Sequence, residues 1–275
     1  MKTKPVQKVI IVLFLSFVLL VTVSPLLLLI INSLKSQREF LVNPFGLPTT
    51  LALANFPKVW ITGGYSRAYL NSLLIAVCSV TIVVSLGGLC AFSLAKFRFR
   101  GSNVVLTYFI LSMSIPVSLF LVPIFFIFKN LGLLDTIRGL IIVYGAIFLP
   151  FNIVFLRSFF MGIPDSVLES AKIDGCSDLG LFFRMVIPLS RPAFLTVALL
   201  VTLWTWNEFF FANAFITTNV LRPVSTRFLA FTGTYTSDWT LICAAGIISI
   251  LPIMIFYIIF QRNFIEGLMS GSIKG

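Results

Sequence analysis

Long apolar stretches alternate with short polar ones along this chain, and their length carries more information than their periodicity. Six stretches, near 9–31, 70–95, 104–128, 139–157, 192–213 and 241–261, are dominated by Leu, Ile, Val and Phe. A bilayer core requires about 20 consecutive helical residues. The pattern therefore predicts an all-α integral membrane protein, a single transmembrane domain over 1–275 with six transmembrane helices. Several spans carry interruptions: Pro116 and Pro123 in the third, Pro150 and Asn152 in the fourth, Asn207 and Glu208 in the fifth, Pro252 in the sixth. Such groups are tolerated in a bundle where neighbouring helices or a wet cavity satisfy the freed backbone, or they are packing kinks without further meaning. Lys2, Lys4 and Lys8 precede the first stretch, as in a signal peptide, but its apolar run of about 23 residues is longer than an h-region and lacks a small-residue cleavage site. An uncleaved anchor is expected.

Composition sharpens this picture. Of 275 residues, 59% are hydrophobic and 11% charged, against about 25% charged in soluble domains. The net charge of +11 would suit nucleic acid, but the basic residues sit in short clusters between apolar runs, as topology requires. With no histidine, His-based triads, haem ligation and imidazole metal sites are excluded. Cys78, Cys90, Cys176 and Cys243 show no CxxC spacing, so neither a disulfide framework nor a zinc site follows. Lys and Arg number 12 in the N-terminus, 96–103, 157–191 and the C-terminus, and 8 in the opposite loops. "KFRFRG" at 96–101 directly abuts a span, and the positive-inside rule then places both termini and the 157–191 loop in the cytoplasm.

That loop is the least lipid-like part of the chain. Residues 163–192 read "IPDSVLESAKIDGCSDLGLFFRMVIPLSRP". Ser166 and Glu169 have capping-box spacing, which predicts a helix start. Gly175 is placed to end that helix in a left-handed conformation. Ser177 and Asp178 suit the start of a second helix, with Leu179, Phe182, Phe183 and Val186 on one face until Pro188 stops it. Each helix is about 14 Å long, too short to span. A hairpin lying on the inner leaflet would favour Lys and Arg, yet Asp165, Glu169, Asp174 and Asp178 balance Arg157, Lys172, Arg184 and Arg191. A protein partner with basic residues suits the pair better.

Here the chain resembles a known family. Glu169-Ser170-Ala171, then Asp174-Gly175, then Met185-Val186-Ile187-Pro188 are similar to the "EAA…G…I-x-LP" loop of permease subunits in binding-protein-dependent ABC importers, with Ser170, Met185 and Ile187 as mild departures. "LNSLLIAV" (70–77), "FSLAKFRFRG" (92–101), "FKNLGLLDT" (128–136), "WTWNEF" (204–209) and "GLMSGSIKG" (267–275) look like the MalG-like branch that takes up carbohydrates. The resemblance implies that 158–191 is a cytoplasmic coupling helix pair between spans four and five, docking on an ATPase dimer. It further implies a MalF-like permease paralogue, an extracytoplasmic sugar-binding protein, and a tail in which Gly271, Lys274 and Gly275 contact the ATPase. The alternative cargo is a non-sugar solute such as a glycerol phosphate-type polyol ester. The expected location is a bacterial or archaeal-type plasma membrane, with lipid as surroundings and no nucleic-acid partner.

The residues themselves weigh the competing classes. No G-x-x-x-x-G-K-[ST] is present, so no cofactor is expected on this chain, and ATP with Mg is expected on the partner ATPase. A membrane enzyme would need paired intramembrane catalytic groups, and Glu208 stands without such a companion. A carrier would show coupling carboxylates or internal repeats, and neither is evident. Catalysis by this chain is not expected. Trp204, Asn207 and Glu208 could line a sugar route through stacking and hydrogen bonding. Equally, the tryptophans suit an interfacial belt with Glu208 reaching water.

Overall fold

The computed structural model describes the backbone of residues 5–233 and 236–272 and side chains within 7–233 and 236–262. Among them all regular structure is helical. The long elements are α1 (Pro5–Ser33), α2 (Gln37–Val42), α3 (Asn55–Thr62), α4 (Tyr65–Lys96), α5 (Ser102–Met113), α6 (Leu121–Asn130) and α7 (Ile137–Met161). They continue as α8 (Asp165–Ile173), α9 (Asp178–Leu189), α10 (Arg191–Asn207), α11 (Phe210–Phe215) and α12 (Trp239–Ser272). Four helices, α1, α4, α7 and α12, are long and apolar enough to cross a membrane, and up to six crossings result if each of two bent pairs is one span.

The third expected span is one of those pairs, bent by 96° between Ser102–Met113 and Val117–Asn130. Pro116 disfavours helical backbone at Ile115, whereas Pro123 lies just past the junction where the 3-10 turn Val117–Phe120 passes into α6. The other pair is α9 with α10, bent by 83° between Leu189 and Arg191. Beyond it the fifth expected span is interrupted again, because α10 ends at Asn207 and Glu208 is extended at φ −69, ψ 121 before α11 begins. The sixth overruns its expected end near Gln261. Helix continues beyond it through Ser272. Glu266, Leu268 and Met269 are good helix formers that offset the roughly 1 kcal/mol cost of each neighbouring glycine.

Two compact units divide the chain: 1–66 with 227–252, and 67–226 with 253–275. In the first, Lys35 is fully buried and meets no carboxylate among the described residues. Its ammonium donates to Asn32 Oδ1 at 3.0 Å, Asn43 O at 2.8 Å and Pro44 O at 3.3 Å, which satisfies all three protons. Asn55 Nδ2 ties α3 to the end of α1 through Ser33 O and Lys35 O. Tyr65 donates to Ala245 O at 3.1 Å, and Arg227 reaches Gly64 O at 3.2 Å.

In the second unit α4 packs along α7 and α10. Gly88 permits this, since a Cβ there would stand 3.0 Å from the Phe194 ring. The core around it contains Val83, Phe92, Leu156, Phe160, Phe182 and Val197. A second cluster gathers Ile75, Phe128, Leu140, Tyr144, Phe211 and Phe215. Pro150 lies inside α7, and Asn152 nearby returns its side-chain amide to Phe148 O at 2.7 Å.

Candidate functional site

The helix pair α8–α9 forms where the sequence places it, with different local chemistry. The expected Ser166–Glu169 capping box is absent: Pro164 takes the N-cap position at φ −60, ψ 133, and Ser166 lies inside the helix. Proline fixes that torsion and leads directly into Asp165, so the start moves upstream. The far end follows expectation. Gly175 takes φ +84, its N–H bonds Lys172 O, and the Cys176 N–H bonds Ala171 O. These two bonds are the Schellman pattern, with glycine at the left-handed position. Ser177 caps α9 by accepting from the Gly180 N–H at 3.2 Å.

The expected apolar stripe on α9 is only partly right. Phe182 and Val186 are buried, but Leu179 is 62% and Phe183 59% exposed, and Leu181 turns inward instead. A π-helical turn follows at Phe182–Val186, so the buried face of Leu181, Phe182 and Val186 is not a regular 3.6-residue stripe. Helix continues past Pro188 to Leu189, so proline is not the stop. Glu169, Ser170, Asp174, Gly175 and Pro188 are exposed, while Ala171, Met185 and Ile187 are half-buried against the core. Gly271 lies in α12, and Lys274 and Gly275 fall outside the described residues.

The second candidate region sits at the break after α10. A cavity of about 590 Å³ is lined by Trp204, Asn207 and Glu208 together with Ser112, Phe148, Phe151 and other apolar groups. Trp204 lies 5.3 Å, centroid to centroid, from both Phe148 and Phe151. Asn207 is exposed, with its amide donating to Leu203 O. Glu208 has different work: Oε1 accepts from the Phe211 N–H at 3.0 Å, and Oε2 from the Ala212 N–H at 3.1 Å and the Tyr144 hydroxyl at 2.6 Å. It caps α11 and fastens it to α7. Sequence reading missed Tyr144, because a tyrosine in an apolar span carries no local sign of a partner 64 positions away.

Asp135 was also missed as a fastening point. It is a non-glycine residue at φ 55, and its own N–H donates to Phe215 O at 2.8 Å. Its carboxylate accepts from the Thr217 and Thr218 N–H groups and from the Thr218 hydroxyl at 2.5 Å. The hydroxyl bond foremost, aided by the Thr218 amide, holds its carboxyl below the ordinary value. Asp and Asn tolerate this left-handed backbone better than most residues.

Comparison with known proteins adds to this geometry. Residues 83–269 match the family described as binding-protein-dependent transport system inner membrane component. The diacetylchitobiose uptake system permease protein NgcG of Streptomyces coelicolor is 33% identical over 256 residues, 92% of this chain and 85% of that protein. The arabinooligosaccharides transport system permease protein AraQ of Halalkalibacterium halodurans is 29% identical over 278 residues, covering 100% and 99%. Among solved structures, a bacterial ABC transporter involved in import of the acidic polysaccharide alginate superimposes with TM-score 0.83 at 23% identity, over 96% of this chain and 98% of that one. The sequence, the long apolar helices and the matched residues agree, and the chain belongs to the family of binding-protein-dependent transport system inner membrane components.

Proposed function

We propose that this chain is one of two permease subunits of an ABC importer for a sugar or oligosaccharide, crossing the membrane six times. The match over 83–269 carries the reading, because it spans the Gly175-ended helix pair and the broken α10–α11 segment together. Relatives named for diacetylchitobiose and arabinooligosaccharides support a carbohydrate cargo. In this reading both termini and 158–191 are cytoplasmic, and α8–α9 docks on an ATPase dimer that binds ATP and Mg. A MalF-like second permease completes the pathway, and an extracytoplasmic binding protein delivers the sugar. The tail, with Gly271, Lys274 and Gly275, reaches the ATPase. ATP binding shifts the permease pair between access states only as far as it binds them unequally.

The cavity beside Trp204 is this chain's share of the route. Its aromatic walls suit sugar-ring faces, Asn207 and Glu208 offer polar groups for hydroxyls, and Glu208 also shapes the break. Co-reconstitution with the cognate permease, ATPase and binding protein tests the assignment. ATP-dependent uptake of a di- or oligosaccharide is expected, with none by this chain alone. Uptake of a polyol phosphate in place of sugars would change the cargo class, and transport by the lone chain would overturn the subunit reading.

A further inference from the structure

Two ion pairs are formed among the described residues, and each joins the end of one helix to the start of the next. Lys96, in the last turn of α4, meets Asp165, in the first turn of α8, at 2.6 Å. Lys172, in the last turn of α8, meets Asp178, in the first turn of α9, at 2.8 Å. Each cation thus sits at a helix C-terminus and each carboxylate at an N-terminus, where the helix dipole favours both. The two bridges follow one another from α4 through α8 into α9.

The first bridge is the more firmly seated. The Lys96 side chain is only 8% exposed, and its ammonium also donates to Ile163 O at 2.6 Å, one residue before the proline that opens α8. Arg157 Nε donates to Leu94 O at 3.2 Å, which ties the end of α7 to the same turn of α4. Lys172 lies over the Phe97 ring at 5.3 Å, so α8 returns at its far end to the segment leaving α4. A cavity of about 190 Å³ lies between these groups, lined by Phe92, Lys96, Phe97, Asp165, Glu169 and Lys172. Apolar packing alone therefore leaves a gap here, and the charged contacts span it.

We propose that Lys96 and Asp165 are positioning residues that transmit movement of the α8–α9 pair to α4, with Lys172 and Asp178 holding the pair together as it moves. This rests on the docking role assigned to α8–α9 above. A load applied to the exposed side of the pair reaches the core through two routes, the buried faces of Leu168, Leu181 and Phe182, and the Lys96 bridge. The bridge is the route that is directional, since it fixes the first turn of α8 to one point on α4.

The experiment uses the assembled transporter in proteoliposomes, with ATP hydrolysis and sugar uptake measured on the same preparations. Lys96→Met and Asp165→Asn are expected to lower uptake per ATP hydrolysed by about threefold or more at equal complex yield, and Lys96→Arg to retain the parental ratio. A purely structural role would lower uptake and hydrolysis together. Asp165 is 75% exposed, so Asp165→Asn decides the matter if Lys96→Met fails to assemble. A parental uptake-to-hydrolysis ratio for Asp165→Asn overturns the proposal. Glu169→Lys, which reverses charge on the exposed docking surface, separates the two levels. If it loses ATPase attachment while Asp165→Asn keeps the parental ratio, the bridge alone is refuted. If Glu169→Lys retains both attachment and transport, the docking role falls and the proposal with it.

Discussion

Gly175 has open space where a Cβ would stand, so only its backbone torsion opposes substitution. Valine, branched at Cβ, pays roughly 1 to 2 kcal/mol for a left-handed torsion. Gly175→Val is expected to reduce reconstituted uptake while membrane assembly survives, and Gly175→Asn to do so less. Parental uptake by the valine variant would show that the turn can be rebuilt without consequence. Asp135 offers a pH test. Its carboxyl is held low mainly by the Thr218 hydroxyl, so the stabilisation is present above the ordinary carboxylate value of about 4 and is lost as pH falls through the lower folded-state value. The melting-temperature gap between the parent and Asp135→Asn in detergent should therefore narrow from pH 6 to pH 3. A constant gap would mean that the carboxylate charge contributes nothing to the clamp. Gly175 was legible from its place after a helical run; Asp135 was not, because its partners lie 82 and 83 positions away.

At the scale of elements, the sequence announced where helices exist better than where they break. Span length alone located α1, α4, α7 and α12, since no other structure satisfies the backbone across so many apolar residues. The break after α10 was visible only as a polar pair, Asn207 and Glu208, and its meaning depended on Tyr144 in another helix. Tyr144→Phe removes one donor from Glu208 without changing side-chain volume greatly, and should lower stability by roughly 1 to 3 kcal/mol. A lower melting temperature is expected, and an unchanged one would show that the two amide bonds suffice to hold α11. The α9 stripe failed for a similar reason. A π turn belongs to the packed helix, and no regular 3.6-residue count can anticipate it.

Across the whole molecule, the sidedness proposed above rests on charge asymmetry and makes a labelling prediction. With the native cysteines replaced, Ser36→Cys and Ser237→Cys should react with an impermeant thiol reagent from outside, and Ser177→Cys should not. Outside labelling at position 177 would invert the topology. Fold class and family were legible because apolar length and the 169–188 motif are local features, whereas the fastenings at Lys96, Asp135 and Tyr144 are pairings across the chain. The first helix carries one more consequence. None of its most apolar window over Gln7–Ser33 is buried against the rest of this chain, so its entry into the bilayer draws on its own partitioning and not on packing within the chain. Leu20 lies near its middle and is 68% exposed, and an arginine at such a depth costs about 2.5 to 3.5 kcal/mol on insertion scales. Leu20→Arg should accordingly lower the fraction of newly made chains that enter the membrane, while those that do enter melt at the parental temperature; the defect belongs to biogenesis.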